Sequence, residues 1–160
     1  MSPLYNRLRK WLVPPILLLL FLLFDIFVSW PTVTELRKII SPTLSFCLSI
    51  LIGVTSIYVI ISSLLQLVLN KTTINALRAN KAHVLITNGC YRFSRNPVYL
   101  GFAGIQLSSS LLLNCIPGIL ATLLLMFLMT RLHIRYEEVA MQRIFGPEWV
   151  AYQQKTRRWI

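Results

Sequence analysis

The chain has 160 residues, 56% of them hydrophobic and only 13% charged, with a formal net charge of +11. A soluble globular domain is about half apolar and a quarter charged, so this balance marks a lipid-facing chain. Its Lys and Arg residues cluster between apolar runs instead of alternating with aromatics on a basic surface, which excludes a nucleic-acid partner.

Arg7, Arg9 and Lys10 precede the first apolar run, as in a signal peptide. The run continues to Trp30 with no small-x-small cleavage site, so it reads as a retained transmembrane helix. Residues 11–30 supply the roughly 20 apolar positions that a span needs, interrupted by Asp25 and by Pro14-Pro15 near the start. Asp25 lies toward the outer end of this span. It is expected to reach the outer interface, with an inward functional carboxylate as the alternative. Residues 42–69 contain no charge and are long enough to span with tilt. Residues 98–113 are a shorter run, rich in small side chains. A turn over Asn114-Cys115-Ile116-Pro117-Gly118 then leads to a fourth run at residues 119–130. The last two runs pair as a hairpin.

Lys and Arg number three in the N-terminal tail, two in the first connection, five in the second, none in the third turn and six from Arg131 onward. Placing both termini and the long second connection inside puts fourteen positive residues in the cytosol and two outside, the orientation that the positive-inside rule selects. The expected fold is all-α: a polytopic membrane protein with about four transmembrane helices and a cytosolic C-terminal helical extension. Residues 1–160 form one membrane domain, in which 1–70 provide two N-terminal spans and 71–160 the other two with their polar segments. Cys47, Cys90 and Cys115 show no paired spacing and the chain has two histidines, so neither a disulfide framework nor a metal site is expected.

Two polar segments stand out on the cytosolic side. In the first, from His83 to Gly101, Asn88-Gly89 signals a turn, and Asn96-Pro97 reads as an N-cap followed by proline in the first helical turn. The positive end of that helix would favour a carboxylate or phosphate. Gly101, Gly104 and Ser108 share one face of it, where either another helix or a ligand can approach closely. In the second segment, Glu137 and Glu138 are two of five acidic residues in the chain. Neighbouring side chains on a helix diverge by about 100°, so one carboxylate can face the bundle while the other pairs with Arg131 or Arg135. Gly146-Pro147 ends that helix. Trp149, Val150, Tyr152 and Trp159, interleaved with Lys155, Arg157 and Arg158, read as an amphipathic piece lying on the membrane surface.

Taken in order, "GCYRFSRNPVYLG", a hairpin with asparagine at its turn, and "RLHIRYEEVAMQRIFGPEWVAYQQ" resemble the C-terminal core of the isoprenylcysteine carboxyl methyltransferase and phospholipid methyltransferase superfamily. The resemblance covers roughly residues 81–160, the methyltransferase-like core of the expected domain. It implies an integral membrane methyltransferase that binds S-adenosylmethionine without a Rossmann fold and takes a lipid-like or isoprenylated acceptor from the bilayer. It implies cofactor contacts from His83, Gly89, Tyr91, Arg95, Asn96, Pro97, Tyr99, Glu137 and Glu138, and catalytic positions near the acceptor at Asn114 and Arg131. Eukaryotic carboxyl methyltransferases of the family carry Arg-His-Pro where this chain has Arg95-Asn96-Pro97, which leaves the acceptor open between prenylated thiol, phospholipid amine and other hydrophobic molecules. A non-catalytic four-helix membrane protein (a transporter subunit or scaffold) and a reductase-like protein using a nicotinamide cofactor are the alternatives.

Overall fold

The computed structural model describes residues 11–32, 40–71 and 84–160, and among them the chain is helical with no strand. Helices α1 (Pro14–Thr32), α2 (Pro42–Leu69), α3 (Pro97–Leu112) and α4 (Ile116–Met129) follow in order. A π turn (Thr130–Ile134) joins α4 to α5 (Arg135–Lys155), and a 3-10 turn (Gly89–Arg92) precedes α3. The N-terminal tail, most of the two longer connections and His83 lie outside the described residues.

Proline sits in the first turn of α2, α3 and α4, where its missing N–H costs nothing. Ser41 completes the start of α2 by accepting the Leu44 N–H at 3.3 Å. In α4 this preference shortens the expected turn: Pro117 and Gly118 belong to the helix, and only Leu113, Asn114 and Cys115 separate it from α3. Asn114 takes φ 54°, a left-handed conformation that asparagine tolerates.

Helix α2 and the continuous run from Ile116 to Lys155 are long and apolar enough to cross a membrane, and Pro14–Ser29 is a shorter apolar helix. Large apolar side chains such as Phe27, Val54 and Leu123 point outward, and the buried face of α2 consists of Ser45, Ser49, Ser56 and Ser63. This inverts the pattern of a soluble bundle and suits a lipid exterior. Helix contacts in lipid rest on close packing and hydrogen bonds, because lipid tails are as apolar as the side chains they replace. Here Ser45 Oγ donates to the Leu111 carbonyl and Ser108 Oγ to that of Ser49, both at 2.7 Å. A Cβ built on Gly104 would stand 2.0 Å from Ser56 Oγ, and one on Gly101 2.9 Å from the Ser56 carbonyl. The small face of α3 therefore receives a helix, not a ligand.

Asp25 departs from expectation. Its side chain is fully buried instead of reaching an interface. It accepts hydrogen bonds from Gln106 Nε2 at 2.9 Å and Ser110 Oγ at 2.8 Å, and it lies against Gly118 beside the α3–α4 turn. Gln106 and Ser110 are spaced four apart on α3 and present their polar atoms together, which turns the carboxylate inward.

The C-terminal region also differs. Gly146 adopts φ 47°, ψ −117°, a conformation closed to L side chains, and breaks α5 as its Gly-Pro signal predicts. Residues 147–155 then pack against the 3-10 turn, so that protein covers Trp149 and Tyr152 on the face expected to meet the membrane surface. Trp149 and Tyr152 are buried, Tyr152 Oη donates to the Tyr91 carbonyl at 2.5 Å, and Trp159 packs partly buried on the hydrophobic core.

Gly104→Leu should lower unfolding stability in mild detergent by about 1–3 kcal/mol through overpacking. Val54→Leu, on the outward face of α2, should leave it unchanged. Asp25→Asn should stay within about 1 kcal/mol of the parent, because an amide can still accept from Ser110 and bond Gln106. Asp25→Leu should cost about 2 kcal/mol or more, because Gln106 Nε2 keeps only a 3.4 Å bond to the Phe21 carbonyl and Ser110 Oγ only its bond to the Gln106 carbonyl. Equal stability of the Asn and Leu variants would discard the hydrogen-bonded account of this cluster.

Candidate active site

The site forms where α3 begins. Ser94 Oγ accepts the Asn96 N–H at 3.1 Å, shaping the corner before Pro97. A strap of residues 156–160 crosses this corner. Arg95 N–H donates to the Arg157 carbonyl at 3.0 Å, and Ser94 Oγ and Asn96 Nδ2 both donate to that of Arg158, at 3.2 and 3.0 Å. Asn96 thus occupies the N-cap position without a side-chain capping bond, because its amide goes to the strap.

The strap brings a second arginine to the glutamate pair. Glu138 Oε1 accepts from Arg95 Nη2 at 3.0 Å and from Arg158 Nε at 3.0 Å, while Oε2 accepts from Arg158 Nη2 at 2.6 Å. The expected partners Arg131 and Arg135 are replaced by these two, because the helix phase at Glu138 points it toward the start of α3. Glu138 and Arg95 keep only 11% and 10% of their side-chain surface. The carboxylate holds the Arg158 guanidinium above the usual arginine range, by hydrogen bonding first. The Arg95 guanidinium lies over the Trp149 ring at 5.8 Å, and its buried Nε makes no hydrogen bond. Two guanidiniums on one carboxylate leave a positive surplus, and an unsatisfied N–H beside a helix N-terminus suits an anionic group.

Glu137 faces the other way, into the bundle, where it accepts a short hydrogen bond from Tyr99 Oη. Tyr99 stacks on His133, with ring centroids 6.4 Å apart. His133 is buried in the π turn and donates from Nε2 to the Leu12 carbonyl at 2.7 Å, tying the approach to α1 into the site. The π turn inserts one residue, which rotates everything after it by about 100° and sets the facing of both glutamates. Burial pushes the Tyr91 phenol upward, reinforced by Tyr152 and Glu137. Burial also raises the Tyr152 phenol, with Arg95 opposing. Both phenols therefore remain hydrogen-bond donors at neutral pH.

The structure gathers Tyr91, Arg95, Asn96, Pro97, Tyr99, Glu137 and Glu138 at one end of α3. Gly89, at φ 56°, lies two residues before Tyr91, pressed against the Gln66 amide of α2. Asn114 lies beyond the opposite end of α3, whose 16 residues span about 24 Å. Arg131 is exposed in the π turn, its guanidinium 5.2 Å from the Phe127 ring centroid. Sequence reading missed Arg158, Ser94, Tyr152 and Gln66 as parts of this region. Gln66 had a usable signal, as a polar residue near the end of an apolar span.

The phospholipid methyltransferase family model matches residues 44–148. The chain is 31% identical over 81 residues to the "Protein-S-isoprenylcysteine O-methyltransferase" of Schizosaccharomyces pombe, an alignment covering 51% of this chain and 34% of that protein. It is 36% identical over 75 residues to the "Probable protein-S-isoprenylcysteine O-methyltransferase" of Oryza sativa subsp. indica, covering 46% of this chain and 39% of that protein. The alignments thus span under two-fifths of either relative's length. No solved structure matches. The family match takes in α3, α4, the π turn and the glutamate pair, and by it the chain belongs to the phospholipid methyltransferase family.

Proposed function

We propose that the chain is an integral membrane methyltransferase that binds S-adenosylmethionine at the start of α3 and methylates a hydrophobic acceptor drawn laterally from the bilayer. The observation that carries this reading is the surplus guanidinium: Arg95 is nine-tenths buried, shares one carboxylate with Arg158, and keeps an unsatisfied Nε. An amino-acid-bearing nucleoside fits this arrangement. Its carboxylate would meet Arg95, and its ammonium or ribose hydroxyls would meet the side of Glu137. The orientation that follows from the charge distribution has four spans, with both termini and this site on the cytosolic side. Residues 71–160 would carry the methyltransferase core and 1–70 the two supporting spans.

When bound, the cofactor supplies an electrophilic methyl on a sulfonium. The work left to the protein is alignment and exclusion of water. Tyr99, stacked on His133 and bonded to Glu137, forms a rigid wall for that purpose. Arg131, on the same side and at the rim, would orient an acidic acceptor. The acceptor is proposed as a carboxylate on a lipid-like chain. A carboxylate attacks the methyl with no proton to lose, whereas an amine must be deprotonated; Glu138 is committed to two guanidiniums, which leaves that task to Glu137 or to the unprotonated Nδ1 of His133. The names of the yeast and rice relatives support the same acceptor class; the family name keeps a phospholipid amine as the second.

Calorimetry on detergent-purified protein should find saturable binding of S-adenosylmethionine and S-adenosylhomocysteine, lost in a Glu137→Gln/Glu138→Gln double variant. A well-folded wild type that binds neither, in lipid as well as detergent, returns the chain to a non-catalytic bundle. Competition by a nicotinamide nucleotide would point to the reductase-like alternative instead. Arg131→Ala should reduce turnover of a carboxylate acceptor about ten- to a hundredfold, the worth of one charge-assisted hydrogen bond, with cofactor affinity unchanged. Unchanged turnover would remove Arg131 from the mechanism.

A further inference from the structure

Arg158 lies in the strap after α5, beyond the residues that the family model matches. It joins the site twice, by separate atoms. Its carbonyl accepts from Ser94 and Asn96, which docks the strap on the corner before α3. Its guanidinium takes both oxygens of Glu138 in a fork, leaving Arg95 a single bond to Oε1. A carboxylate with one guanidinium beside it closes a two-pronged pair with that group. A second guanidinium already seated on both oxygens prevents this.

We propose that Arg158 is a positioning residue of the cofactor site: by occupying Glu138 it keeps the Arg95 guanidinium from being neutralised there and available to an anionic group of the ligand. The inference rests on the cofactor reading above and deepens it. Without Arg158, Glu138 would draw Arg95 into a closed pair and cancel its charge toward the start of α3. The geometry also separates positioning from folding. Truncating the side chain removes the fork but leaves the Arg158 carbonyl and the Trp159 packing in place, and the Arg158 side chain is itself 36% exposed.

The test compares two probes, S-adenosylhomocysteine and 5′-methylthioadenosine, which share the thioether nucleoside but differ in the amino-acid carboxylate. In Arg158→Ala, affinity for S-adenosylhomocysteine should fall about tenfold, while affinity for 5′-methylthioadenosine and the thermal unfolding midpoint stay within about twofold and 2 °C of wild type. Arg158→Lys, which keeps the charge but not the fork, should fall between the two proteins. Unchanged S-adenosylhomocysteine binding in Arg158→Ala would overturn the inference, as would an equal loss for both probes, which marks a structural role. Full recovery in Arg158→Lys would overturn it too, since charge alone would then suffice. A folded wild type that binds neither probe would overturn the cofactor reading itself, and this inference with it.

Discussion

Glu138 held between two guanidiniums is the interaction on which the polar end of the molecule depends. A carboxylate and a guanidinium that each keep about a tenth of their surface lose most of their hydration, and such groups are tolerated only when paired and hydrogen-bonded. The second guanidinium satisfies the remaining lone pairs of Glu138 and leaves the cluster with one positive charge to spare. Several features of the chain have their reason here. The Gly146 break turns residues 147–155 against the 3-10 turn, and the strap that follows delivers Arg158. The π turn sets the phase at which Glu138 meets Arg95 while Glu137 meets Tyr99.

The other end of the bundle is organised by a different constraint. Within an apolar surround, polar atoms must find one another, and Asp25, Gln106 and Ser110 do so where α1, α3 and α4 meet. Between the two ends, α2 and α3 approach through serine and glycine, and the large aliphatic side chains are left to the outside. The scaffold is thus rigid by hydrogen bonds and close backbones. It carries its paired charges and the Tyr99–Glu137 contact at one terminus of α3.

Much of this was legible in the chain itself. Apolar runs of the right length located the helices to within a few residues, because spanning a hydrocarbon layer depends on local composition alone. Asn96-Pro97 and Gly146-Pro147 marked a start and a break, because proline and glycine restrict or free the backbone wherever they stand. The order of short motifs around Arg95 and the glutamate pair carried the family. The divergence of neighbouring side chains by about 100° along a helix foretold that the two glutamates would take different partners.

What the sequence by itself determined, then, is the set of helices, their lipid-facing character and the family. What only the tertiary structure decided is which charges meet. Arg131 and Arg135 are close to Glu138 in the chain, yet Arg95 and Arg158 reach it, one from 43 residues earlier and one from 20 later. Asp25 looked like an interface residue until two side chains more than 80 positions away turned it inward. Trp149 and Tyr152 show an amphipathic pattern that fits a membrane surface as well as a protein surface. Periodicity records that a face is apolar. Only the fold supplies what covers it.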